Sequence, residues 1–123
     1  MTYQKTVGNL GETLAEKYLQ DRGFQVIDRN YTTRYGELDL VAIEAESENV
    51  VFIEVKTRTS DKFGTPEASI TPAKIERLQN AALLWLQDHP ETKDDWRIDV
   101  ISIILDHQHE IRDIQHFINV YDA

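Results

Sequence analysis

Asp39 and Glu54, with 14 residues between them, and Lys56 two positions further on are the side chains in this sequence best suited to chemistry. Two carboxylates brought to one point make an oxygen site for a hard divalent cation such as Mg²⁺, which takes one or two carboxylates and keeps several waters. A lysine beside them places a fixed positive charge at the same spot. Whether the three meet depends on the segments that carry them. "ELDLVAIEA" and "VVFIEVKTR" both read as strands, with polar "ESEN" as the turn between them. A hairpin centred between Glu46 and Ser47 pairs Ile43 with Val50, Val41 with Phe52, Asp39 with Glu54 and Glu37 with Lys56. Residues two apart in a strand point the same way, so these eight are expected on one face.

The opposite face carries Leu38, Leu40 and Ala42 against Val55, Ile53 and Val51. Both faces are apolar near the turn, so the hairpin is expected inside a sheet covered on both sides. There, Asp39 opposite Glu54 is costly, because facing like charges repel and a desolvated carboxylate costs more still. A bound cation offsets that cost, with Lys56 beside it and Glu37 free to pair with the lysine when no substrate is present. A plainer reading has the charges at the wet end of the hairpin, with Glu37 and Lys56 a weak surface pair. A single bulge would also carry Asp39 to the other face.

The rest of the chain supplies the frame. Lys5 to Asp21 spaces Leu10, Leu14, Tyr18 and Leu19 as one helix face, with Ala15 between and Gly23 as the stop. "FQVIDRNY" alternates as a strand. "TSDKFGTPEASI" reads as a loop, and Thr71 with Pro72 caps a helix running to about Asp88. "WRIDVISIIL" is an apolar strand, "DHQHE" a turn, and "IRDIQHFINVY" a closing strand with a ragged end. This order predicts an α/β fold with a mixed sheet in a single domain, residues 1–123, with the strand after the second helix reached by a parallel crossover.

Composition narrows the function. With no cysteine, disulfides, thiolate zinc sites and thiol catalysis are excluded, and any metal is held by oxygen or imidazole. No apolar run spans a bilayer and no leader pattern opens the chain, so a cytoplasmic protein without membrane contact is expected. The net charge of -9 opposes binding of nucleic acid by overall attraction. That acidity is uneven: residues 88–123 hold 9 acids and 3 bases, against 13 and 10 in residues 1–87.

The motif from Asp39 to Glu54-Val55-Lys56 resembles the core of the PD-(D/E)XK nuclease superfamily. More narrowly, the chain resembles the YraN-like family of uncharacterised bacterial proteins, predicted endonucleases similar to archaeal Holliday junction resolvases. The likeness spans "GNLGETLAEKYLQDRGFQVIDRNY", "GELDLVA", "VFIEVKTR", "FG", "KIERLQNAA" and "RIDVISI", in that order. Leu38 stands where the superfamily motif has proline, Thr32 where relatives have arginine, and Ile98 where an aromatic is common.

The resemblance implies a restriction-endonuclease-like three-layer sandwich, a central mixed sheet flanked by helices. It implies Mg²⁺ or Mn²⁺ held by Asp39, Glu54 and the Val55 backbone carbonyl, with Glu12 as a further acid near the metal. Lys56 would orient the attacking water or stabilise developing charge. The reaction implied is hydrolysis of phosphodiester bonds in DNA, including branched or Holliday-junction-like DNA in repair or recombination, by a homodimer where junctions are the substrate. Arg34, Arg58, Lys62, Lys74 and Arg77 are candidates for phosphate contacts, the last two sharing a helix face.

Two rival functions stay open: a nucleic-acid-binding module with this fold and no efficient catalysis, and a protein-interaction domain using the acidic final third. His107 and His109 are assigned to a turn, His89 to a helix end, and Trp85 and Trp96 to the core rather than to base stacking.

Overall fold

The computed structural model describes residues 3–59, 65–92 and 95–122. In chain order it contains helix α1 (Tyr3–Asp21), strands β1 (Phe24–Thr33), β2 (Gly36–Glu44) and β3 (Val50–Arg58), helix α2 (Pro72–Asp88), and strands β4 (Trp96–Leu105) and β5 (Ile111–Phe117). Short 3₁₀ turns precede α2 (Pro66–Ser69) and follow β5 (Val120–Asp122). The strands form one sheet in the order β1-β2-β3-β4-β5. Among the described residues only β3 and β4 pair in parallel, and α2 bridges them, as the order of elements predicts.

Alternation along the strands divides the apolar side chains into two cores. Leu40, Ala42, Val51, Ile53, Ile101 and Ile103 meet Val7, Ala15 and Leu19 of α1. Their sequence neighbours Val41, Phe52, Val50, Ile98 and Val100 meet Leu78, Ala81, Ala82 and Trp85 of α2. One helix therefore covers each side of the sheet, and the hairpin is apolar on both faces for that reason. At about 25 cal/mol per Å², burying each large side chain stabilises the fold by roughly 1.5–3 kcal/mol.

The local signals act as expected. Thr71 caps α2, its side chain accepting the Lys74 N–H at 3.3 Å, with Pro72 following. α1 stops at Gly23, whose φ of 87° is the left-handed conformation that suits glycine. Its most buried residues are Val7, Gly11, Ala15 and Leu19, four apart, with Leu10, Leu14 and Tyr18 flanking them.

The hairpin register is the expected one for Leu40 to Ile43 against Ile53 to Val50. Beyond Leu40 the strand departs from it. Leu38 packs with Val41 on the α2 side, whereas Leu40 packs on the α1 side. Residues two apart ought to share a face, so β2 turns over at Asp39 and the assignment of Glu37, Asp39, Val41 and Ile43 to one face is corrected. The pairing of Asp39 with Glu54 does not form as a ladder pair; Asp39 Oδ2 instead accepts the Val55 N–H at 2.7 Å.

A buried polar knot ties β4 to β5. Asp99, fully buried, accepts from Arg97 Nε at 3.0 Å, His116 Nε2 at 2.8 Å and the Asn119 N–H at 2.9 Å. These donors hold its carboxyl below the ordinary range although burial pushes the other way. The last third of the chain thus spends one of its acids inside the fold. Among the described residues, no helix is long and apolar enough to cross a membrane.

Candidate active site

The turnover of β2 brings acids from different elements together. One carboxylate oxygen each from Glu12 on α1 and Glu37 and Asp39 on β2 lie within 4.8 Å of one another. Asn30 of β1 joins two of them: its Nδ2 donates to Glu12 Oε1 at 2.9 Å and to Glu37 Oε1 at 3.0 Å. Only the amide's NH₂ end can serve two carboxylates. Asn30 reaches both from a left-handed backbone, φ 52°, which asparagine tolerates better than most residues. Thr32 Oγ1 adds a bond to Glu37 Oε2 at 3.3 Å.

Asp39, like Glu12, is half-buried, whereas Glu37 is exposed. Burial pushes the Asp39 carboxyl up to about 7; the Val55 N–H opposes this, and Glu12, Glu54 and Glu37 add to it by repulsion. Glu54 therefore belongs to the electrostatic surroundings of Asp39, although it stands outside the three-carboxylate group.

Glu54 and Lys56 project from the α2 side of β3. They line a cavity of about 220 Å³ with Glu37, Tyr35 and two cations of α2, Lys74 and Arg77. Lys74 and Arg77 stand three apart near the start of α2, which turns both towards this opening. Burial, then the neighbouring Lys56 ammonium, lowers the Lys74 amine below the usual lysine range, with Glu54 pulling it back up and Arg77 reinforcing Lys56. Glu37 is common to both groups, so the acidic cluster and the cationic cavity adjoin at one end of β2 and β3.

Of the residues expected to carry chemistry, Asp39 and Glu12 fall in the acidic group, and Glu54 and Lys56 in the adjoining cavity with Lys74 and Arg77. Arg34 sits in the β1–β2 turn, its guanidinium 5.0 Å from the Tyr35 ring centre and donating to the Tyr35 hydroxyl at 3.1 Å. Arg58 ends β3. Lys62 lies outside the described residues. His107 and His109 occupy the β4–β5 turn, where Asp106 Oδ1 accepts the N–H groups of Gln108 and Glu110. His89 stacks on Trp85 at 3.8 Å, and Trp85 is 1% exposed.

Asn30 and Tyr35 are the site residues that sequence reasoning passed over, and Glu37 was assigned to Lys56 rather than to the acids. An asparagine near the end of a strand hints at a left-handed residue, but only the fold shows which carboxylates it meets.

The chain matches the model of the Uncharacterised protein family UPF0102 over residues 11–103. It is 43% identical over 117 residues to a UPF0102 protein of Syntrophomonas wolfei, covering 95% of this chain and 98% of that one. It is 46% identical over 97 residues to a UPF0102 protein of Mycolicibacterium gilvum, covering 79% of each. A UPF0102 protein of Mycobacterium bovis is 44% identical over 108 residues, covering 84% of each. The matched stretch includes Glu12, Asn30, Asp39, Glu54, Lys56, Lys74 and Arg77, and on this evidence the chain belongs to the uncharacterised protein family UPF0102.

Proposed function

We propose that the protein is a divalent-metal-dependent endonuclease that hydrolyses phosphodiester bonds in DNA, branched or Holliday-junction-like DNA in repair or recombination being its substrate class. The observation that carries this reading is the meeting, at Glu37, of a carboxylate group centred on half-buried Asp39 with a cavity holding Lys56, Lys74 and Arg77. The order of elements and the helix on each side of a mixed sheet suit a restriction-endonuclease-like three-layer sandwich.

The donor set suits Mg²⁺ or Mn²⁺, since every candidate ligand is a hard oxygen and Asp39 is crowded by other acids. Asp39, Glu54 and the Val55 carbonyl would hold the ion, with Glu12 alongside. When bound, it would supply Lewis acidity at the phosphate and favour ionisation of the attacking water.

The remaining work falls to the chain. Lys56 orients the water and stabilises charge developing on the phosphate. Lys74 and Arg77 take phosphate oxygens, with Arg34, Arg58 and Lys62 extending the track. Asn30 keeps the Glu12 and Glu37 carboxylates in place without adding charge. This local cationic group answers the net charge of -9, and binding is expected to weaken steeply with salt. A cytoplasmic homodimer acting on two strands of a junction completes the reading.

One observation favours a second reading, a nucleic-acid-binding module without efficient catalysis: Glu54 stands outside the group formed by Glu12, Glu37 and Asp39. Incubation of the protein with four-way, flapped and linear DNA in Mg²⁺, Mn²⁺ or Ca²⁺ separates the two. Cleavage in Mg²⁺ or Mn²⁺ supports the nuclease. Binding in Ca²⁺ with no cleavage in any ion supports the module. Absence of binding at low salt removes both and leaves an acidic protein-interaction domain.

A further inference from the structure

Gly11 sits in the middle of the buried stripe of α1, between Val7 and Ala15, where the helix meets β3. A Cβ built on it would lie 2.7 Å from the Thr57 Cβ and 2.8 Å from the Thr57 Cγ2, and closer still to Oγ1. Both distances are inside van der Waals contact, and Thr57 is β-branched and stiff about χ1. A side chain at position 11 would therefore drive helix and strand apart. Gly8, one turn earlier, has nothing within 4 Å of the equivalent point. Glycine is thus sterically required at 11 and not at 8.

The close approach is not made for a hydrogen bond. The Thr57 Oγ1 it encloses is buried and has no partner among the described residues, which opposes folding. Its consequence lies at the next residue. Glu12 leaves the edge of the same helical turn and places a carboxylate oxygen within 4.8 Å of Glu37 and Asp39 oxygens. Displacing α1 from β3 would carry Glu12 away from both.

We propose that Gly11 is a positioning residue of the site: by having no side chain against Thr57, it lets α1 lie close enough to β3 for Glu12 to reach Asp39 and Glu37. The claim about catalysis rests on the nuclease reading; the claim about geometry does not.

The test compares Gly11→Ala, Gly11→Ala with Thr57→Gly, Glu12→Gln, Gly11→Ala with Glu12→Gln, and Gly8→Ala as control. Crystal structures read the separation of the Glu12 and Asp39 carboxylates, and single-turnover cleavage of a DNA junction in Mn²⁺ reads activity. Gly11→Ala is expected to widen the separation by about 1 Å and slow cleavage about 10²-fold at unchanged DNA affinity. Thr57→Gly is expected to restore both, Gly8→Ala to change neither, and Gly11→Ala with Glu12→Gln to cleave no slower than Glu12→Gln. Wild-type separation in Gly11→Ala, or rate losses that multiply in Gly11→Ala with Glu12→Gln, would overturn the proposal. If Gly11→Ala does not fold, the variant with Thr57→Gly decides: wild-type separation supports the proposal and a widened one overturns it. If wild-type protein cleaves nothing, the nuclease reading fails and the carboxylate separations alone decide the role of Gly11.

Discussion

Replacing Asp39 by asparagine removes one titrating group while keeping an oxygen for the Val55 N–H. In the folded protein, burial raises the Asp39 carboxyl from 3.8 to about 7, with repulsion from Glu12, Glu54 and Glu37 adding to it and the Val55 N–H opposing. In the unfolded chain it returns to about 3.9. Between those values the folded protein holds a proton that the unfolded chain has released. The contribution to stability is therefore complete below about pH 4 and is lost as pH rises through about 7. A shift of about three units corresponds to about 4 kcal/mol, which solvent access and relaxation around a half-buried group reduce to about 2–4 kcal/mol. Urea unfolding followed by circular dichroism, without divalent ions, measures it in both proteins at pH 5, 6, 7 and 8. Asparagine resembles the protonated acid, so wild type and variant are expected to coincide only below about pH 4, and at pH 5 wild type has already lost about a third of the full difference. The variant is expected to be more stable by about 2–4 kcal/mol at pH 8. A stability difference that stays constant across this range would refute the reasoning.

Three other outcomes follow from the same geometry. Asp99→Ala leaves His116 and the Asn119 N–H without their acceptor and half-buried Arg97 with Glu44 alone, and is expected to cost about 3 kcal/mol in urea unfolding at pH 7. Gly8→Ala puts a methyl group into open space on a helix and is expected to stabilise the fold by about 1 kcal/mol in the same assay, whereas Gly11→Ala is expected to destabilise it. Lys74→Ala and Arg77→Ala are each expected to weaken DNA binding on all sequences alike and to lower the slope of log affinity against log salt by about 1 in fluorescence anisotropy.

Much of the frame was legible from residue type alone. The alternation in "VVFIEV" and "LDLVAI" predicts a hairpin buried on both faces, and Thr71 with Pro72 marks the start of α2 because their cap chemistry is local. The pairing near the turn followed for the same reason, since a shift by one residue would expose the apolar set. The turnover at Asp39 was not legible: neither glycine nor proline marks it, and it shows only in the opposite cores chosen by Leu38 and Leu40. Lys74 and Arg77 could be read as neighbours on a helix, but that they face Lys56 follows from how α2 lies on the sheet. Glu12 entered through family resemblance, because on its own it is an acid on an amphipathic helix. Gly11 reads in the sequence as a cost to that helix, and the Thr57 contact gives the reason for it.

The claim that the carboxylates and Lys56 form one hydrolytic site is tested most directly by the single-turnover cleavage rate of junction DNA in Mg²⁺ or Mn²⁺, measured for wild type, Asp39→Asn and Glu54→Gln. The account predicts cleavage by wild type and a loss of at least about 10²-fold in both variants, with DNA binding retained. Equal behaviour of all three proteins would contradict it.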